Sequence, residues 1–395
     1  MKDVLYILHG NLITMEEEDI EDGYLALEDG KITAMGKMED MPELPQNAGI
    51  LDAEGAVITP GLVDAHSHLG MWEDGLDFEG ADGNEDTDPV TPQIRAIDGV
   101  NPMDRAFLEA AQAGITTVVT GPGSTNPIAG QLLAMKTWGV CVDHMTILAP
   151  AGMKAAFGEN PKSVYHDKGQ LPSTRMGTAA VLREALYKAK HYLEQTEKHK
   201  KAPEEEEKPE WDFKCEALLP LLLREIPLYA HAHRLDDIFT AIRIAREFNL
   251  RLVLVHGTEA HLAAERIAEE KVPVLSGPIL TDRSKPELKN QTEAAPAILI
   301  GSGIQTALIT DHPETPQKYL LLCACAAVRE GLSPRAALRA VTKTPAEICG
   351  LDHRVGSLKP GKDADLVVWK GTPPDMNARP RLVLCNGTPV RKTLG

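Results

Sequence analysis

The sequence predicts an α/β chain, a parallel βα sheet or barrel flanked by a small β unit that both termini build together. Three observations carry this. The first ~50 residues read as short strands broken by turns. From Ile58 onward, apolar strand-like runs alternate with segments of helical period. After residue 351 the pattern becomes strand-like again. The expected organisation is a composite β unit from residues 1–58 plus 352–395, around a core spanning 59–351.

The opening strands are expected at Asp3–Ile7, Tyr24–Leu27, Lys31–Met35 and Gly49–Leu51, separated by turn signals such as Glu28-Asp29-Gly30. Core strands are expected at Leu62–His68, Thr116–Thr120, 147–155, Pro227–His233, Arg251–Gly257, Val272–Ser276 and Gln305–Asp311. Several are continuous apolar runs, as strands covered on both faces require. Asp236–Phe248 and Glu259–Glu270 read as amphipathic helices between them. An eighth strand is placed near Cys141–Met145. Helices follow at Gln317–Glu330, Pro334–Val341 and Pro345–Leu351, then strand-like runs at Gly356–Trp369 and Arg381–Cys385. Residues 195–210 (QTEKHKKAPEEEEKPE) are charged, carry two prolines and bury almost nothing apolar. They read as a solvated surface insertion between two helices.

Composition narrows the function. The 395 residues hold 41 Lys+Arg against 58 Asp+Glu, a formal charge of −17, with 43% hydrophobic and 25% charged residues. That balance argues against nucleic acid and against anionic lipid as partners, since both need clustered cations. No apolar run approaches the ~18 residues of a membrane span. The N-terminus lacks the small-residue cleavage site of a signal peptide. Six scattered cysteines without a CxxC pair suggest neither a disulfide framework nor a thiolate metal site. A cytoplasmic protein acting on a small molecule is expected, with homo-oligomer formation left open.

Four strand ends carry the chemistry. In Asp64-Ala65-His66-Ser67-His68, strand alternation sends His66 and His68 to one side, where two imidazoles can chelate one ion. His231 and His233 end a second run, His256 a third, and Asp311-His312 a fourth. In a barrel those ends converge on one mouth. Such a set suits a divalent ion, zinc before manganese, iron or nickel. A bound ion would activate water, and Asp311 could take its proton and pass it to a leaving nitrogen.

PGLVDAHSHLG (60–70), His231, His256, Asp311 and GSLKPGKDADLVVW (356–369) resemble the amidohydrolase superfamily. GMKAAFGENPK (152–162) and HGTEA (256–260) are similar to its imidazolonepropionase-related and prolidase-like branch. The resemblance implies a (β/α)8 barrel, with a small β-sandwich domain built from both chain termini. It implies His66, His68, His231 and His256 as metal ligands, and Asp311 as ligand and proton shuttle. It also directs attention to Lys154, where the prolidase-like relatives carry a carboxylated lysine that bridges two ions. Glu159, five residues on, is the rival carboxylate, and a single-ion site is the third option. Where an imidazolonepropionase would carry an acid three residues after the strand histidine, Arg234 stands.

The expected activity is metal-dependent hydrolysis of an amide-type C–N bond in a cyclic amide, N-acyl amino acid or dipeptide. A deaminase of the same fold and a non-catalytic barrel scaffold are the alternatives. His233, Arg234, Ser124 and Asn126 are the expected substrate contacts. Gly356–Asp363 only imitates a phosphate-binding loop: Asp363 replaces the Ser/Thr, Pro360 removes an N–H, and a strand follows.

Overall fold

The computed structural model describes residues 4–73 and 76–392. Two eight-stranded sheets organise the chain. It opens with β1 (Leu5–Leu12), β2 (Ile20–Glu28), β3 (Lys31–Lys37), β4 (Gly49–Asp52) and β5 (Val57–Pro60). The central sheet holds β6 (Leu62–Ser67), β7 (Ile115–Thr120), β8 (Gly130–Lys136), β9 (Thr146–Ala156), β10 (Leu228–Ala232), β11 (Leu252–His256), β12 (Val274–Ser276) and β13 (Thr306–Leu308). Then β14 (Leu366–Lys370), β15 (Arg379–Cys385) and β16 (Thr388–Lys392) rejoin the first sheet, in the order β16-β15-β14-β5-β1-β2-β3 with β4 on β1. Both termini therefore build one sheet. Among the described residues no helix is long and apolar enough to cross a membrane.

The third strand departs from expectation. Val142–Met145 is a single helical turn, with Asp143 and His144 exposed. The strand lies earlier, at β8, antiparallel to both β7 and β9. Its residues suit a strand covered on two faces. Leu132 and Ala134 pack with Val63, Tyr229 and Val255, whereas Leu133 and Met135 pack with Leu62 and Phe107. Because β7 and β8 form a hairpin, residues 121–129 stay at the mouth instead of leaving it through a helix.

The sheet closes by an unusual join. Asp311 N donates to His66 O at 3.3 Å, and His68 N donates to His312 O at 2.9 Å. At the opposite end, Ala340 and Val341 wedge between the strands, accepting from Leu308 N and Val63 N. Between them lies the fully buried Asp64. Its Oδ2 accepts from Thr310 N at 3.1 Å, Thr310 Oγ1 at 2.6 Å and Gln317 Nε2 at 2.7 Å. One side chain thus replaces missing ladder bonds between the first strand of the sheet and the turn after its last.

The two sheets are joined through buried charge. Lys136, at the end of β8, places Nζ 2.8 Å from Asp363 and 2.6 Å from Asp365. Arg354 and Lys31 also reach Asp363. Burial opposes ionisation of Asp363, but Lys136 and its other cationic neighbours win and hold the carboxyl down at about 2.

Residues 195–201 are helical, contrary to the expectation of a loop. The helix Arg175–Lys201 runs on through them, supported by a Glu197–Lys200 pair at 2.9 Å. The connection is non-helical over 202–212 and exposed throughout 203–208, and the helix Phe213–Leu222 returns from it.

Two outcomes are expected. Lys136→Met should lower unfolding stability in urea by about 3 kcal/mol, because it strands two buried carboxylates. In the wild type, the part contributed by Asp363 is present above the ordinary aspartate range and lost as pH falls toward 2. Replacing 203–208 by a short Gly-Ser turn should shift the same midpoint by less than ~0.5 kcal/mol, as these residues are all exposed.

Candidate metal centre

The strand ends bring five of the expected residues to one place. His66 Nε2 and His68 Nε2 lie 3.2 and 3.3 Å from Asp311 Oδ1, and His256 Nε2 lies 4.0 Å from Asp311 Oδ2. The His231 ring is 4.5 Å from that of His256, and the His66 ring is 5.8 Å from it. All are buried.

The backbone presents the rings in a particular tautomer. His68 Nδ1 meets Gly121 O at 2.8 Å, and His256 Nδ1 meets Gly277 O at 2.7 Å. A carbonyl can only accept, so each Nδ1 carries the proton and each Nε2 offers a lone pair to the centre. His256 and Asp311 adopt φ of 71° and 53°. Such left-handed backbone is strained for these residues and recurs at functional sites.

The donor atoms have no ordinary partners. His66 Nε2, both nitrogens of His231, His256 Nε2 and Asp311 Oδ1 are buried without a well-angled hydrogen bond. Buried polar atoms left in this way are costly. Burial, with Lys154 adding for His66, drives the His66 and His231 imidazoles well below their usual range; burial brings His256 to about 4. Burial also opposes the charge on Asp311, but the imidazoles of His256, His66 and His68 hold it well below the carboxylate range. Neutral imidazoles beside an ionised carboxylate form the donor set of a borderline divalent ion.

Lys154 is fully buried on β9. Its Nζ donates to Ser124 Oγ at 2.8 Å and to Pro122 O at 3.4 Å, and burial lowers its pKa to about 8. Glu159 sits beyond the strand at the start of the helix Glu159–Asp167, with only its backbone N directed to Glu287.

A cavity of about 490 Å³ opens over the centre, a size suited to a small molecule. His68, His231 and Asp311 reach its floor; Trp72, Asn84, Asn160 and Lys285 stand on its wall. Ser124 and His233 line it. Asn126 does not. It is buried behind the loop, donating to Glu85 O and Thr91 Oγ1 and accepting from Tyr165 OH, so it holds the loop's shape. Arg234 also turns away, paired with Asp236 at 2.9 and 2.8 Å on the outer surface. His312 Nδ1 accepts from Gln317 N and serves the turn.

Glu287 escapes a reading of the sequence. It lies on the short 3-10 turn Pro286–Leu288, buried, 3.7 Å from His233 Nε2 and 4.0 Å from His231 Nε2. In sequence it is one acid within Lys285-Pro286-Glu287-Leu288-Lys289, and nothing there distinguishes it from a surface residue.

Comparison with known proteins shows the family. The family model described as the amidohydrolase family matches residues 57–392. An amidohydrolase from Thermotoga maritima MSB8 has a similar crystal structure: TM-score 0.94, 42% identity, 98% of this chain and 100% of that one. The amidohydrolase tasK of Hapsidospora irregularis is 32% identical over 93% of this chain, which spans 39% of that longer protein. An imidazolonepropionase of Cupriavidus taiwanensis is 25% identical, covering 89% of this chain and 85% of its own. With the matched family model covering most of the chain and the strand-end histidines meeting at one mouth, this chain belongs to the amidohydrolase family.

Proposed function

We propose that the chain hydrolyses an amide-type C–N bond of a small molecule with a metal-activated water. Family membership supports the hydrolytic class. The observation that carries the metal is the meeting of His66, His68, His231, His256 and Asp311 at one mouth, with the donor atoms of His66, His231, His256 and Asp311 buried and without a well-angled hydrogen bond. Zinc is the ion this set fits best. An ion bound there supplies a water of near-neutral pKa and polarises the substrate carbonyl.

The chain's own residues do the rest. Asp311 is ionised at neutral pH and takes the proton of the attacking water. As the new C–O bond forms and the C–N bond breaks, Asp311 returns that proton to the leaving nitrogen. Trp72, edge-on to His68 at 5.1 Å between ring centroids, walls the floor against bulk water. Ser124 offers a hydroxyl to the substrate from the cavity wall, and His233 a ring nitrogen. If carboxylated by carbon dioxide, Lys154 would offer a carboxylate oxygen as a ligand; unmodified, its Nζ is bound to Ser124 Oγ and Pro122 O. The six cysteines are all free, which fits a reducing cytoplasm.

His66→Ala and His256→Ala should each lower turnover at least ~100-fold while the folded far-UV signal is kept. Chelation should abolish turnover, and added zinc should restore it. Full activity in rigorously metal-free protein would overturn the reading. A screen of N-acyl amino acids, dipeptides and cyclic amides, scoring amine and ammonia release separately, distinguishes hydrolysis from deamination.

A further inference from the structure

The resemblance points to one histidine on β10, yet two face the cavity, and a buried carboxylate faces both. His231, His233 and His256 each bring a ring nitrogen within 4.8 Å of the others. Their ring centroids are 4.5 to 4.6 Å apart. Glu287 Oε1 lies 3.7 Å from His233 Nε2 and 4.0 Å from His231 Nε2. Zinc bonds of about 2.0–2.1 Å in a tetrahedron put ligand atoms roughly 3.3 Å apart. The three imidazole donors, within 4.8 Å of one another, need to close by at most about 1.5 Å, and Glu287 Oε1 by less than about 1 Å toward His231 and His233, to hold one ion.

Two further features mark this as a binding arrangement. Both ring nitrogens of His231 and the Nε2 of His256 are buried atoms without a well-angled hydrogen bond, and the buried Glu287 Oε1 already holds a cation beside it. His233 Nδ1 is engaged by Thr258 Oγ1 at 2.7 Å, which fixes the ring and leaves Nε2 toward Glu287. Glu287 is fixed as well, since its Oε2 accepts from Glu159 N at 3.0 Å. The positive charge on its other oxygen is Lys285 Nζ, at 2.9 Å, shared with Asn160 Oδ1 at 2.9 Å. The Lys285 side chain is 24% exposed and has a path to solvent. Lys154, by contrast, has its Nζ committed to Ser124 and Pro122.

We infer that His233 and Glu287 complete, with His231 and His256, a second cation site that requires no modified lysine. It is separate from the site of His66, His68 and Asp311, and it rests on the metal-dependent reading above. The turn Pro286–Leu288 thus supplies the carboxylate that the lysine-bridged relatives obtain from carbon dioxide. Lys285 then acts as the occupant that an incoming ion displaces. His233 moves from substrate contact to ion binding.

The test counts ions. Full-length protein is stripped with chelator, dialysed in buffer free of bicarbonate and reloaded with cobalt(II). Bound metal is measured by mass spectrometry, and the cobalt visible spectrum is recorded. Wild type is expected to hold two ions per chain and Lys154→Met two. Glu287→Gln and His233→Asn are expected to hold one. Lys285→Met, which removes the competing charge, should bind the second ion at least ~10-fold more tightly. Thermal unfolding of each metal-free variant checks that the barrel is intact. Should Glu287→Gln or His233→Asn fail to fold, the Lys285→Met titration decides between the two outcomes. Two ions retained by Glu287→Gln, loss of one ion in Lys154→Met alone, or weaker second-ion binding in Lys285→Met would overturn the inference. A wild type holding one ion would overturn it and leave the metal-dependent hydrolase standing. A wild type holding none would overturn both.

Discussion

The molecule depends on how one buried carboxylate closes its sheet. The first and last central strands do not zip together along their length. Asp64 spans the gap, taking the hydroxyl and N–H of Thr310 and the amide of Gln317. The same side chain accepts from His66 N at 3.3 Å. Closure and site are therefore one construction: His66 and His68 follow Asp64 by two and four residues, and Asp311 follows Thr310 by one. Burial raises the Asp64 pKa to about 7, and its hydrogen bonds oppose that rise. The bonds it accepts set Thr310 and Gln317 against β6.

A second constraint acts from the far side. Lys136 ends the one antiparallel strand of the central sheet and is gripped by Asp363 and Asp365 of the returning chain. The β7–β8 hairpin is thereby anchored below by an ion network and above by Asn126. Ser124 and Lys154 meet because that hairpin holds residues 121–129 over the mouth.

Much of this is legible in the sequence, for a physical reason. Histidines and an aspartate at the ends of apolar strands are local patterns, and barrel topology alone makes them meet. The antiparallel strand is not legible, because periodicity reports which faces are buried and says nothing of direction. Asn126 and Arg234 sit beside the right motifs, but their side-chain directions depend on partners far along the chain or on the outer surface. Glu287 is invisible because its burial comes from the neighbours that fold around a three-residue turn. The helical continuation through 195–201 is masked by charge, which reads as loop until its own ion pairs are seen.

The left-handed backbone at His256 and Asp311 has a consequence for substitution. Such backbone costs on the order of 1–3 kcal/mol in a residue that carries a side chain, and glycine or asparagine fits it with less strain. Replacing either residue by asparagine removes a donor of the site while easing the backbone beneath it, so loss of chemistry and loss of fold come apart at these two positions.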